Sequence, residues 1–218
     1  MKNEQKQEQK SESITIKPAN LVILPLTIEG DAPYVQHKFS QKALRQIEET
    51  QKAGSTATSK RKREPKDFEE NWRQAMHIGT DGRHGIPASA FRNASISACR
   101  VAGFVMTKAK LSIFIVADVF DKDDGTPLVH ISPKPRAFKD TVSLPVRNDN
   151  GSVDLRMRPM WDPGWRANLR VRFDADVFTP TDVANLINRV GQQVGIGEGR
   201  PDSKESAGVG WGTFTIVG

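Results

Sequence analysis

Two runs of strict alternation, Val153 to Arg158 and Trp165 to Phe173, restrict this chain more than any other feature. One set of alternate positions holds Val153, Leu155, Met157, Trp165, Ala167, Leu169, Val171 and Phe173. The other holds Arg156, Arg158, Arg166, Arg170 and Arg172, with Asp154 and Asn168. Successive side chains on a strand point to opposite faces, so the pattern requires a sheet with one face on a core and the other open. Asp162-Pro163-Gly164 between the runs has turn chemistry, which predicts that the two strands pair as neighbours. A solvated face kept soluble by charge would satisfy the same pattern. Such a face usually mixes signs, however, and this one is almost all arginine. Guanidinium groups crowded on one antiparallel surface repel unless an anion lies across them, so the expectation is a surface that meets phosphate.

A net charge of +6 and a pI near 9.5 agree with a nucleic-acid or acidic partner. The single cysteine, Cys99, excludes an internal disulfide and a cysteine zinc site, and suits a reducing cytoplasm. Met1 to Glu12 is Lys, Glu, Gln and Ser, unlike a signal peptide. The longest near-apolar run, Leu21 to Ile28, is far short of the roughly 20 residues that cross a bilayer. A soluble, cytoplasmic protein without a membrane partner is expected.

Residues 1–13 have the composition of a disordered tail, leaving 14–218 as one domain. Asn20 to Glu29 reads as a first strand buried on both sides, with Pro25 favouring an edge or a bulge. Ser40 to Lys52 predicts a lightly packed helix. A flexible stretch and the basic run Lys60-Arg61-Lys62-Arg63 follow, resembling an arm that orders on nucleic acid; a solvated loop is the plainer alternative. Asp67 to His77 predicts a short helix carrying Phe68 and Trp72. Pro87 opens a longer one with the stripe Phe91, Ala94, Ala98 and Val101, flanked by Arg92 and Arg100 and ended by Gly103.

Leu111 to Val119 reads as a second apolar strand, Asp121 to Gly125 as a turn whose oxygen spacing does not fit a calcium loop, and Leu128 to Ile131 as a return strand. Residues 132–150 form a long loop or carry a strand at Thr141 to Val146. Thr179 to Asp182 is a capping box for a helix with the stripe Val183, Leu186, Ile187 and Val190, closed by Gly191. Gly208 to Val217 is the last strand. The order fits an α+β class: a βαββαβ ferredoxin-like core with a long insertion at about 31–80, one sheet face covered by helices and the other free.

Glycines crowd the segment from Gly191 to Gly212, but neither a nucleotide P-loop nor a dinucleotide site matches their context. They form either a flexible loop or bare backbone at Gly197 and Gly199, beside Arg200, that approaches a phosphodiester chain closely. Trp211 is either a stacking surface or core. His37, His77, His84 and His130 show no metal-ligand spacing, and no metal or other cofactor is expected. His37 and Lys38 share an early loop from which they could contact phosphate. Cys99 beside the helix stripe reads as packing.

Gly85-Ile86-Pro87-Ala88-Ser89-Ala90-Phe91-Arg92-Asn93-Ala94, entering a helix after a first strand and an insertion, resembles the proline-led helix entry of the RAMP superfamily. That superfamily includes the repeating backbone subunit of CRISPR effector complexes. Gly210-Trp211-Gly212-Thr213-Phe214 is similar to its C-terminal glycine loop before a last strand. From about Asn20 to Val217 the chain also resembles an uncharacterised family of tailed-phage genomes, in Gly85 to Ala88, Asp154 to Pro159 and Gly195 to Pro201. These resemblances imply a modified RNA-recognition-type core that binds single-stranded nucleic acid by its backbone, with subunits stacked along the strand, in a host cell's cytoplasm. The aromatics of RNA-recognition cores are not evident on the arginine strands, so backbone binding is the safer implication. Some RAMP subunits cut RNA with an aspartate after the first strand, and Asp31 lies in about that place.

The expected function is therefore non-catalytic binding of single-stranded RNA or DNA through Arg156, Arg158, Arg166, Arg170, Arg172, Arg92, His37, Lys38, the Lys60–Arg63 arm and the glycine loop with Gly197, Gly199, Arg200 and Trp211. The alternatives are a virion structural or assembly protein whose basic face meets an acidic protein, and a metal-dependent endoribonuclease using Asp31.

Overall fold

The computed structural model describes residues 16–39, 45, 47–49, 51–52, 66–147, 151–203 and 208–218. Its architecture is α+β with several antiparallel sheets. The organising strand is β10 (Arg166–Asp174), whose alternation is fully realised: Ala167, Leu169, Val171 and Phe173 are buried, while Arg166, Asn168, Arg170 and Arg172 are exposed. It pairs with β1 (Leu21–Gly30) from Leu21 opposite Asp174 to Glu29 opposite Arg166. The short β4 (Ile113–Ile115) lies on its other side, and β11 (Phe214–Ile216) lies outside β1. The main sheet thus runs β11-β1-β10-β4, antiparallel throughout.

Helices α2 (Ala88–Val101) and α4 (Pro180–Arg189) connect these strands, giving the chain order β1, α2, β4, β10, α4, β11. Phe91, Ala94 and Ala98 of α2 share one core with Val183 and Ile187 of α4 and the apolar column of β10. Phe91 meets Phe214 edge-on at 6.1 Å between ring centres. The helices therefore cover the apolar face, and burying that face supplies the main driving force for the fold. Thr179 and Asp182 form the expected capping box at the start of α4. Gly191 does not close this helix; the chain continues as a wide turn over Val190–Val194 and ends at Gly195.

Around the main sheet, the described residues form three smaller ones. β3 (Gly85–Pro87), β6 (Pro127–His130) and β5 (Val119–Phe120) form the first, in the order β3-β6-β5. β2 (Tyr34–Val35) pairs with β9 (Met160–Trp161), and β7 (Leu144–Arg147) pairs with β8 (Val153–Arg156). Tyr34, Trp161 and Trp165 cluster above the end of the main sheet, and their indole N–H groups are satisfied: Trp161 donates to the Pro133 carbonyl and Trp165 to the Ala32 carbonyl.

Several expectations need correction. The two alternating runs do not pair with each other: β8 takes β7 as its partner, and β9 separates it from β10. Val153 and Leu155 consequently face solvent, 62% and 49% exposed, and Met157 is the one apolar residue of that run that is buried. β1 is a central strand and is exposed at Leu21, Val22 and Ile23, not buried on both sides. Pro25 is tolerated there because its side of the strand is the one that carries β11. Thr27, two residues on, exchanges backbone hydrogen bonds with Val217 and Gly218, and the pairing does not reach Pro25.

Leu111 ends a helix, α3 (Met106–Ser112), and is 74% exposed; the strand begins only at Ile113. Val101, at the end of α2, is also exposed. The last strand is confined to Phe214–Ile216. Residues 45, 47–49 and 51–52 of the expected early helix are helical. The predicted tail at 1–13 and the Lys60–Arg63 arm lie outside the described residues. Among the described residues, no helix is long and apolar enough to cross a membrane.

Candidate nucleic-acid interface

Among the described residues, the face of the main sheet that the helices leave uncovered carries the β10 column Arg166, Asn168, Arg170 and Arg172. Strand pairing adds Glu29, Thr27, Pro25 and Ile23 from β1, and Phe114 from β4 opposite Arg172. The face is less purely cationic than the sequence pattern suggests. Arg166 binds the Glu29 carboxylate, with Nε at 2.6 Å, and Arg170 binds Asp118 at 3.0 Å and the Ala117 carbonyl at 2.6 Å. Arg172 has no carboxylate partner among the described residues; its guanidinium lies 5.2 Å from the centre of the Phe114 ring. A cation over an aromatic face gains only about 0.5–1 kcal/mol at an exposed site and keeps its N–H edges free for an anion.

Arg92 approaches the same ring at 5.0 Å, but its Nε and terminal nitrogen donate to the Ile113 and Lys110 carbonyls, 3.1 and 2.5 Å away. It ties α2 to the α3–β4 junction. That employment takes up donors that its expected role as a phosphate ligand would use.

A second basic region gathers residues that are far apart in sequence. His37, Lys38 and Phe39 follow β2; Lys66, Phe68 and Asn71 come from the start of α1 (Phe68–Gln74); Asp154 to Arg158 come from β8 and the residues after it. Together they line one groove of about 470 Å³. Sequence-predicted His37, Arg156 and Arg158 thus come together, but away from the β10 column. Arg158 is almost buried, and its Nε donates to Glu198 at 3.0 Å. His37 Nδ1 lies 3.9 Å from the same carboxylate. Burial, and then the Arg158 charge, hold the His37 pKa below its ordinary value, so the imidazole is neutral at pH 7. Lys66 and Arg156 (3.8 Å) share Asp154.

Lys38 does not face phosphate. Its ammonium is buried and bound to Asp121 at 2.7 Å and Asp123 at 3.0 Å, with Asp124 at 3.8 Å. His77 Nδ1 lies 2.7 Å from the other Asp121 oxygen. Burial alone would raise the Asp121 pKa, but hydrogen bonds from Lys38, the Asp123 N–H and His77 outweigh it and keep the carboxylate ionised. Burial lowers the pKa of His77, so the neutral ring donates its Nδ1–H to that carboxylate. The ligand atoms of His77, Asp121 and Asp124 lie within 4.8 Å of one another, a grouping that spacing along the chain did not reveal. The lysine ammonium is the cation among them.

The glycine loop is occupied by its own chain. A Cβ at Gly197 would meet the Val35 carbonyl oxygen at 2.6 Å and the Tyr34 ring, and the Glu198 N–H donates to Val35. The bare face of Gly199 lies against the indole of Trp211, which is half-buried. Arg200 donates back to the Gly197 carbonyl at 3.2 Å. Close packing therefore accounts for these glycines and for the place of Trp211, correcting the expectation that Gly197 and Gly199 offer backbone to phosphate. Asp31 is exposed; its N–H donates to the Thr213 carbonyl, and its carboxylate lies 3.3 Å from the Thr215 hydroxyl.

Sequence reasoning missed Phe114, Phe39, Phe68 and Lys66. Phe114 lies within a run read as an apolar strand, in which its place opposite Arg172 depends on a pairing the sequence does not show. Phe39 sits in a segment with no periodicity to set its exposure, and Phe68 falls on its short helix beside Trp72 without a role. No known protein family's model matches this chain, and no curated protein matches it.

Proposed function

We propose that this protein binds single-stranded nucleic acid by its phosphate backbone, without catalysis. The observation that carries this reading is the open sheet face with its β10 column, in which exposed Arg172 lies over Phe114 with no carboxylate partner among the described residues. The strand order β11-β1-β10-β4 and the two connecting helices agree with a ferredoxin-like, RAMP-type core carrying its insertion after β1, which supports a phage RAMP-like protein. Phosphate contacts would displace counterions, so affinity should fall steeply with salt and depend little on base sequence.

Filter binding of nuclease-treated protein to single-stranded RNA, single-stranded DNA and duplex at two salt concentrations tests the proposal. Salt-sensitive retention of a single strand is expected and identifies the polymer. Equal failure with all three would overturn it.

One observation favours a second reading, an assembly protein. Leu21, Val22 and Ile23 are exposed where β1 runs past β11, leaving an apolar strand edge that another subunit could extend. The same edge is compatible with stacked subunits on a strand. Ordered oligomers in nucleic-acid-free protein, together with a negative filter assay, would favour assembly.

A further inference from the structure

We infer that the groove between the loop after β2, the start of α1 and β8 is a nucleotide pocket that stacks one base of the bound strand on Phe39 and Phe68. This inference rests on the proposed function and deepens it, because among the described residues the open sheet face offers one aromatic ring, Phe114, already covered by guanidinium groups.

Three observations converge. Phe39 and Phe68, 58% and 37% exposed, come from segments nearly thirty residues apart and line the same groove with Leu155, itself half-exposed. Large rings left open to water on a polar surface cost hydrophobic free energy that a flat, apolar ligand recovers. The His37 ring stands 5.2 Å from that of Phe39, tilted by 41°, which extends the aromatic wall.

Cations also line the groove. Lys66 and Arg156 meet Asp154, and Arg158 meets Glu198, beside the apolar wall. An apolar slot edged by cations matches a base with its attached phosphate. Its volume, about 470 Å³, lies within the roughly 300–1,000 Å³ usual for small-ligand clefts.

Every nucleobase offers a π-face, so such a pocket would hold a base without reading its identity. It would also fix the position of the strand relative to the β10 column. One side of the groove is anchored by Arg158 on Glu198 of the glycine loop.

The test compares the full-length protein with Phe39→Ala, Phe68→Ala and Phe39→Trp, titrated onto a labelled single strand and onto an abasic strand of equal length. The alanine variants should weaken binding to the base-bearing strand by about 5- to 150-fold and leave abasic binding unchanged. Phe39→Trp should retain or tighten it, which a purely structural role would not predict. Alanine variants that bind like the parent, or that lose affinity equally on both strands, would overturn the pocket while leaving backbone binding intact. Failure of the parent protein to bind either strand would overturn both readings together.

Discussion

The stretches 153–158 and 166–173 carry the same alternation and the same arginine habit, yet they end in opposite situations. In β10 every apolar residue is buried in the main core; in β8 Val153 and Leu155 stand in solvent. The arginines differ in the reverse sense. Arg158 is nearly buried on Glu198, whereas Arg172 is exposed over Phe114. Alternation therefore decides which side chains share a face, but the number of strands and helices meeting that face decides whether it becomes core. β10 has β1, β4 and two helices; among the described residues, β8 pairs with the four-residue β7 alone. A two-stranded ribbon has too little partner surface to bury its apolar side.

The comparison breaks most sharply under truncation. Leu169→Ala should cost about 2–5 kcal/mol, because a fully buried leucine leaves a cavity in a packed core. Val153→Ala should stay within about 0.5 kcal/mol. Urea unfolding of both variants measures this, and equal losses would mean that the hairpin is covered in solution. The arginines should invert the order at smaller amplitude. Arg158→Ala strands Glu198 and should destabilise by about 1–3 kcal/mol, while Arg172→Ala should leave stability within about 0.5 kcal/mol.

What could be read from the chain divides along the same line. The faces of β10, the capping box at Thr179 and Asp182, and the buried stripe of α2 as far as Ala98 were legible, because each depends on residues within a few positions. The partner of β10 was not. Its pairing with β1 joins residues more than 130 positions apart, and apolar character does not encode which strand will lie alongside. The arginine column was legible as a face, but its neutralisation by Glu29 and Asp118 was not, since both acids arrive from other segments. Lys38 shows the same limit: nothing near it in sequence announces Asp121. The glycines were visible as a cluster, but whether their bare faces meet ligand or chain depends on packing.

Acid should sharpen the contrast next, because the hairpin side holds His37 and the β10 column holds no histidine. Burial lowers the pKa of His37, His77 and His84 in the folded protein. The unfolded chain therefore binds protons more readily below the ordinary value of 6.5, so stability is fully present above that pH and declines as pH falls through it. Asp121, whose folded pKa is depressed, adds a further loss at lower pH. The melting temperature should drop between pH 7.5 and 5.5, and His37→Gln should reduce the drop. A flat profile would mean that these rings accept protons without cost in the folded state.

The smallest expected effect bears on the function itself. If Arg172 contacts one phosphate, Arg172→Ala should lower the slope of log affinity against log salt by about one, with little preference among sequences. Arg170→Ala should lower it less, because Asp118 already neutralises that guanidinium and a phosphate must compete with it. The ratio of the two slopes measures how much of the open face is available to a strand. If Arg170 proves the stronger, the carboxylate yields to phosphate on binding, and the ion pairs of the open sheet are a resting arrangement exchanged for the ligand. If neither slope changes, the strand does not cross this face, and backbone binding would have to centre on the groove beside β8.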